Sequence, residues 1–271
     1  MIKDITIGQY FPADSFLHRL DPRTKLVMTF VFIVTVFLAK NFFNLGLVCL
    51  VVIAAVGVSK VPAKIIFKSL KAITLLVLFT SAINIFFVET GDTLVKYSFI
   101  HITTGGVFTA IFVAIRIICL IISSSLLTYT TTPTMLTDAI EWSMKPLKLL
   151  KINSHYIAMI MTIALRFIPT LIDEIDRIMN AQKARGADMD TGNFVQRIKA
   201  MIPIFVPLLV SSFRRAYELA FAMECRCYSG GKGRTRMKQM KFKGRDFAAG
   251  FAVIGILAGV IVLNIFITPV M

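Results

Sequence analysis

Two short segments in the second half of the sequence each place an arginine between two small residues near the end of a predicted helix. They read Ala184-Arg185-Gly186 and Cys225-Arg226-Cys227, and each arginine has an alanine four positions earlier. A long guanidinium with small neighbours can enter a groove on another protein and bind an acidic side chain in bidentate fashion. Arginine also interacts favourably with a helix C-terminus, and Gly186 and Gly230-Gly231 are placed for left-handed caps. The residues alone leave docking and self-capping both open.

A third arginine, Arg116, lies about midway along an apolar run that is long enough to cross a membrane. A charged side chain at that depth is costly and often functional. We expect Arg116 to face other helices, where carbonyl groups or the hydroxyl groups of Ser123 to Ser125 satisfy it. Contact with a transported substrate is the alternative.

Other side chains do not form a catalytic or metal-binding pattern. The three histidines (His18, His101 and His155) are far apart, no phosphate-binding loop is present, and the glycine-rich segment 230–233 follows no predicted strand. Disulfides are scarce in reducing compartments, so we predict that all four cysteines are free thiols. We therefore expect no catalytic residue, bound cofactor or metal on this chain.

The composition indicates a membrane protein with a strongly basic soluble part. The chain has 271 residues, 56% of them hydrophobic, a mean hydropathy of +0.77 and a formal net charge of +15. A nucleic-acid-binding domain would show basic patches on a soluble fold. Membrane proteins instead keep Lys and Arg in their cytoplasmic segments. The long apolar runs favour the lipid bilayer as the partner and argue against nucleic acid.

Five apolar runs predict about five membrane-spanning helices. They cover residues 26–39, 42–58, 72–88, 105–127 and 247–267. Asp21-Pro22 opens the first run as an N-cap and first helical residue should. The first two runs are short, so a single re-entrant hairpin is an alternative for that pair.

Loop charge orients the chain and divides it. Lys and Arg are concentrated before the first span, in the 59–71 loop and in the long stretch after the fourth span. The positive-inside rule then places the N-terminus in the cytoplasm and the C-terminus outside. We predict an all-α polytopic fold with an N-terminal membrane domain (1–127), a cytoplasmic domain of amphipathic coupling helices (128–246) and a C-terminal transmembrane helix (247–271).

The cytoplasmic stretch carries clear helical signals. Apolar residues between Ile168 and Met179 recur at spacings of three and four, with charged residues on the other face, as in an amphipathic helix. Two further apolar stretches, 156–167 and 200–213, are short and contain or adjoin prolines. We expect both to lie at the membrane surface or beneath it, although charge does not exclude that they cross.

The N-terminal residues resemble a known family. Ile7-Gly8-Gln9-Tyr10, Ser15 and the run from His18 to Lys25 (His-Arg-Leu-Asp-Pro-Arg-Thr-Lys) are similar to the opening of the transmembrane T component of energy-coupling factor (ECF) transporters, a group related to the cobalt-transport permeases. The two arginine segments resemble that family's paired Ala-Arg-Gly signatures. The order of spans, cytoplasmic helices and last span is also similar, so the resemblance covers nearly the whole chain.

The resemblance implies a subunit of the cell membrane that hydrolyses nothing itself. Such a subunit joins two cytoplasmic ATP-binding ABC subunits to a separate substrate-binding membrane subunit, the S component, for uptake of vitamins. Ala184, Arg185, Gly186, Cys225, Arg226 and Cys227 would dock on the ATPases. One departure is that Cys227 stands where the family has glycine, which leaves the geometry of that tip open.

Several other functions compete with this interpretation. A dedicated cobalt or nickel subunit of the same family is the nearest, and an ordinary ABC permease that binds substrate directly is the next, with Arg116 as its contact. A membrane enzyme acting on lipid-linked substrates would need clustered acid or base residues that the sequence lacks. A sensor of anionic lipids would use the basic segment 234–243.

Overall fold

The computed structural model describes residues 10–88, 93–97, 100–146, 154–186, 194–230 and 240–266. Their elements, in chain order, are α1 (Pro22–Leu38), α2 (Phe42–Ser59), α3 (Ala63–Phe87), β1 (Thr93–Tyr97), β2 (Ile100–Thr103), α4 (Thr104–Thr130), α5 (Pro133–Ser143), α6 (Ser154–Ala184), α7 (Phe194–Cys225) and α8 (Gly244–Phe266). The predicted helical class is confirmed. The sequence did not predict the small hairpin of β1 and β2.

The hairpin lies in the loop between the third and fourth predicted spans. Its strands are antiparallel, with Thr93 opposite Thr103. Thr103 is also the N-cap of α4, because its Oγ1 accepts a hydrogen bond from the Gly106 amide at 3.1 Å and donates one to the Val88 carbonyl at 2.7 Å. One threonine thus joins the end of α3 to the start of α4.

Five helices form one compact unit, which contains the described residues of 10–139 and 240–266. In this unit α4 packs against α1, α2 and α3, and α8 packs against α1. The buried core lies where α1, α2, α4 and α8 meet and comprises Phe32, Val36, Ala39, Val48, Val52, Cys119 and Val260. The second unit contains the described residues of 140–230, with α6 packed against α7. The predicted domain boundaries at 128 and 246 concern the side of the membrane and stay a prediction.

Many large apolar side chains face outward, as lipid contact requires. In α3, Leu75 and Phe87 are each 80% exposed. Five helices of the described residues are long and apolar enough to cross a membrane: α2, α3, α4, α6 and α8. The chain is therefore a multi-pass membrane protein.

These five helices are not the same set as the five spans that the sequence predicts. The first predicted span corresponds to α1, whose 17 residues are at the lower end of the range of about 17–25 that can cross a bilayer core. The helix that contains 156–167, α6, is instead long and apolar enough to cross. The total of five agrees with the prediction, and which helices cross the membrane stays a prediction.

The prolines in and beside the two apolar stretches end neither α6 nor α7. Pro169 lies inside α6, and Pro203 and Pro207 lie inside α7. A proline removes one main-chain hydrogen bond, and the many bonds on either side keep the helix continuous. The stretch 156–167 and the amphipathic segment after it therefore form one helix of 31 residues.

Candidate functional site

The first arginine segment is the C-terminal end of α6. Ala184 is the last helical residue, and Gly186 follows in the left-handed conformation with φ of +84°. The Arg185 amide donates to the Gln182 carbonyl at 3.1 Å, and the Gly186 amide donates to the Lys183 carbonyl at 3.0 Å. Arg185 therefore occupies the C-cap position, and Gly186 is the left-handed cap that the sequence predicted.

The second arginine segment ends α7 with the same pattern of bonds. The Arg226 amide donates to the Met223 carbonyl at 3.1 Å, and the Cys227 amide donates to the Glu224 carbonyl at 2.8 Å. The Tyr228 amide also donates to Met223, at 3.0 Å, which completes a Schellman cap. Arg226 is thus the C-cap residue, as Arg185 is at the other tip.

The left-handed residue of the second tip is Cys227, with φ of +57°. The sequence predicted that Gly230-Gly231 provides the left-handed cap of this helix. The prediction is wrong for Gly230, which lies three positions beyond the left-handed residue Cys227. Gly231 is outside the described residues. Gly230 has its own positive φ of +97°, and a Cβ there would meet the Tyr156 hydroxyl at 3.2 Å. Tyr228 donates to the Met159 sulfur at 2.8 Å. The loop after the cap therefore packs on the start of α6.

All six residues of the two tips are exposed. Within the part of the chain that the structure describes, neither the Arg185 nor the Arg226 guanidinium has a hydrogen bond or an ion pair. A side chain that capped its own helix would bond the last carbonyl groups. Those carbonyls instead bond the amides of the left-handed turns, so neither arginine side chain caps its own helix.

The two tips lie at opposite ends of an antiparallel helix pair. Gln182 near the end of α6 donates to the Pro203 carbonyl of α7, and Met159 near the start of α6 contacts Tyr228 beyond the end of α7. At 1.5 Å per residue, Arg185 and Arg226 are therefore separated by roughly 35–40 Å along the pair.

An ion pair fastens the middle of the two helices together. Arg215 of α7 donates from Nη2 to Glu174 Oε2 of α6 at 2.8 Å, and the Ser211 hydroxyl lies 3.4 Å from Oε1 of the same carboxylate. Both charged side chains are partly buried. Such pairs are more resistant to screening by salt than exposed ones.

Arg116 bonds a carbonyl group, though not with the partners that the sequence suggested. Its Nη2 donates to the Ala39 carbonyl at 2.6 Å, and its guanidinium lies 4.7 Å from the centre of the Phe112 ring. The Ser123 hydroxyl donates instead to the Cys119 carbonyl of its own helix. Since Ala39 is the C-cap of α1, Arg116 places positive charge at the negative end of that helix.

Two asparagines that no sequence motif marks complete this junction. Asn264 of α8 donates to the Leu38 carbonyl at 2.6 Å, and Asn44 of α2 donates to Asn264 at 2.7 Å. Asn44 is fully buried. The end of α1 is thus held by polar side chains from α2, α4 and α8, which supports a structural role for Arg116.

The N-terminal motif forms a second polar junction at the opposite end of α1. Asp21 Oδ1 accepts from the Arg23 amide at 3.0 Å, which confirms Asp21 as the N-cap. The Asp21 amide donates to Asp246 Oδ1 of α8 at 2.7 Å. Lys25 is 6% exposed and donates to the carbonyls of Thr130 and His18, at 2.9 and 3.3 Å. The motif therefore joins α1, α4 and α8.

His18 belongs to the same motif. Its Nε2 donates to the Phe11 carbonyl at 3.0 Å, so its Nδ1 is the acceptor for the Ser15 hydroxyl at 2.6 Å. Burial lowers the pKa of His18 below its ordinary value of 6.5. Among the described residues, no group of three or more His, Cys, Asp or Glu side chains is placed to hold a metal ion.

The chain is similar to transport proteins over most of its length. The CbiQ family model, described as a cobalt transport protein, matches residues 13–237. The energy-coupling factor transporter transmembrane protein EcfT of Ruminiclostridium cellulolyticum is 52% identical over 242 residues, which are 89% of this chain and 90% of the relative. EcfT of Clostridium kluyveri is 51% identical, with 94% of each chain covered, and EcfT of Bacillus subtilis is 45% identical, with 91% and 93% covered. The resemblance drawn from the motifs is confirmed, and the chain belongs to the CbiQ family as a transmembrane component of the energy-coupling factor transporter type.

Proposed function

We propose that this chain is the non-catalytic coupling subunit of an ECF-type importer. Its two arginine tips bind two cytoplasmic ATP-binding subunits, which hold the ATP. The helix pair transmits their ATP-driven movement to a separate substrate-binding membrane subunit for the uptake of vitamins. Ala184, Arg185 and Gly186 form one docking tip, and Cys225, Arg226 and Cys227 form the other.

The observation that carries this proposal is the equivalence of the two tips. Arg185 and Arg226 both stand at the C-cap position before a left-handed residue, and both are exposed without a partner in the described structure. Two equivalent tips at opposite ends of one helix pair suit two partners of the same kind. An acidic groove on each partner would accept the guanidinium in bidentate fashion.

The helix pair is suited to transmit movement between the tips. The ion pair between Glu174 and Arg215 connects α6 and α7 between their ends. A displacement of one tip therefore moves the other helix rather than bending a free end. The interior of ordered proteins resists compression, which favours rigid-body motion of such packed helices.

In the proposed topology α1, α2, α3, α4 and α8 cross the membrane, and α6 and α7 lie on its cytoplasmic side. Both tips and the N-terminus are then in the cytoplasm, and the C-terminus is outside. Lys64, Lys68 and Lys71 at the start of α3 are exposed and support this orientation by the positive-inside rule. Labelling of single cysteines placed before α1 and after α8, from each side of intact cells, tests it. Labelling of both ends from the same side would contradict the topology.

Charge reversal at each tip tests the docking role. We expect Arg185→Glu and Arg226→Glu each to lose association with one ATP-binding subunit, measured by co-purification from membranes, and to lose ATP-driven uptake. The matched controls are Arg177→Glu on α6 and Arg214→Glu on α7, which make the same charge change at exposed positions of the same helices. Retention of both ATP-binding subunits and of uptake in both tip variants would refute the docking role.

A dedicated cobalt or nickel transporter is the second candidate, because the family model is described as a cobalt transport protein. The four tip residues that flank the arginines do not distinguish the two, since the substrate would bind another subunit in either case. A pull-down of this chain from native membranes separates them. Two different ATP-binding subunits with several small membrane proteins would mean a shared vitamin module, and one of each would mean a dedicated system.

A further inference from the structure

The second tip differs from the first because it carries two exposed thiols. Cys225 and Cys227 are exposed free cysteines on either side of Arg226, whereas Cys119 is buried and Cys49 is partly buried among the packed helices. The first tip has Ala184 and Gly186 at the corresponding positions, which cannot react in this way. The chemistry of thiols is therefore confined to one of the two tips.

We propose that Cys225 and Cys227 form a modification site at which thiol–disulfide exchange with a low-molecular-weight disulfide blocks docking of the second tip. The inference rests on the proposed docking function and adds a regulation to it. Exposed cysteines in the cytosol are normally reduced, and the disulfides that do form there are transient and often redox-sensing. The reduced tip is then the docking-competent state.

The exchange needs only the protein thiols and the low-molecular-weight disulfide, R–S–S–R. A thiolate of Cys225 or Cys227 attacks one sulfur of the disulfide R–S–S–R, forming a protein–S–S–R bond and releasing R–S⁻, which takes up the proton that the cysteine lost. Attack by the second cysteine on the protein sulfur would release the second R–S⁻ and close a disulfide between the two cysteines. In total two thiols are oxidised and one disulfide is reduced to two thiols.

Either product changes the surface that docking requires. The two flanking side chains are small, and an adduct on one of them places a bulky group beside the guanidinium of Arg226. A Cys225–Cys227 bond would instead pull on the cap, because Cys225 is the last helical residue and Cys227 provides the left-handed turn. A docked partner would in turn cover the thiols, so modification takes place when the partner dissociates and then prevents it from docking again.

The test compares wild-type protein with a double variant, Cys225→Ala/Cys227→Gly, which gives the second tip the same residues as the first. Cys49→Ser/Cys119→Ser is the matched control. Membranes containing the whole complex are treated with glutathione disulfide, and the ATP-binding subunits that co-purify are counted before and after reduction with dithiothreitol. Peptide mass spectrometry locates the adduct.

We expect glutathione disulfide to release one ATP-binding subunit from the wild type and from the Cys49/Cys119 control, with recovery after reduction. In the Cys225→Ala/Cys227→Gly variant, the amount of ATP-binding subunits that co-purify should be the same before and after addition of glutathione disulfide. An equal release from that variant, no adduct on either tip cysteine, or an adduct without release would each overturn the inference. Arg226→Glu separates the two proposals: retention of both subunits in that variant would remove the docking role, whereas release there without release on oxidation would remove only the thiol site.

Discussion

Replacement of Asp246 should destabilise the membrane-embedded unit more than any exposed carboxylate can. Asp246 is 4% exposed, and its two oxygens accept hydrogen bonds from the main chains of two helix starts. Oδ1 accepts from the amide of Asp21, the N-cap of α1, and Oδ2 accepts from the amide of Lys243, the N-cap of α8, both at 2.7 Å. Its negative charge lies at the positive ends of two helix dipoles and close to the buried Lys25.

The expected loss follows from these two bonds. A hydrogen bond to a charged group contributes about 1.5 kcal/mol at the lower end of its usual range, so Asp246→Ala should lose about 3 kcal/mol of unfolding free energy. Asp246→Asn keeps one acceptor oxygen and loses the charge, so about half of that loss is expected. The matched control is Asp14→Ala, whose carboxylate pairs with Arg19 at 3.3 Å and is 85% exposed. An exposed pair of that kind contributes about 0.5 kcal/mol.

Buried Cys119 offers a direct assay of this unit. In a Cys225→Ser/Cys227→Ser background the exposed thiols are absent, so a thiol-reactive dye reports mainly on the unfolding that uncovers the core. Labelled fractions measured across a titration of dodecyl sulfate into the solubilising detergent give the free energy of unfolding for each variant. The reasoning fails if Asp246→Ala unfolds at the same detergent composition as Asp14→Ala.

Three further outcomes follow from local geometry. Gly106→Ala should destabilise by about 2 kcal/mol through overpacking, because its Cβ would lie 3.0 Å from the Val88 carbonyl oxygen; Gly250→Ala, with open space around it, should be neutral or stabilising in the same detergent titration. Cys227→Gly relieves a left-handed conformation that costs a non-glycine residue about 1 kcal/mol, so hydrogen exchange of the amide that caps α7 should slow about fivefold. Burial lowers the pKa of His18 below 6.5, so the unfolded state binds a proton more readily than the folded state, and stability should fall as the pH drops below that value. His18→Gln should weaken this pH dependence of stability. An unchanged pH profile in that variant would contradict the role of His18.

Local signals in the sequence were sufficient for the elements that depend on neighbouring residues. Asp21-Pro22 opens α1, and Gly186 provides the left-handed cap of α6, as predicted. The apolar runs correspond to helices because membrane spans must satisfy their main-chain groups internally. The prolines of α6 and α7 lie inside long helices, because a long helix loses only one main-chain bond at each proline.

Pairing between distant segments could not be predicted from the pattern. Asp246 accepts a hydrogen bond from the amide of Asp21, which lies 225 positions earlier in the chain. Asn264 of the last helix donates a hydrogen bond to the Leu38 carbonyl at the end of α1. A polar residue in an apolar run indicates that a partner exists without saying which one. Arg116 shows this: a carbonyl partner was expected, and the helix that supplies it was not.

The two tips show which part of the arginine signature depends on backbone geometry. Gly186 and Cys227 have different side chains, yet both adopt positive φ and both donate to the carbonyl three residues earlier. The left-handed turn therefore does not need glycine, although a cysteine there is strained. What the two tips have in common is an exposed arginine at the C-cap. Under the proposed docking function, binding of a partner therefore requires the arginine at the C-cap position. The small flanking residues set only how closely the partner can approach.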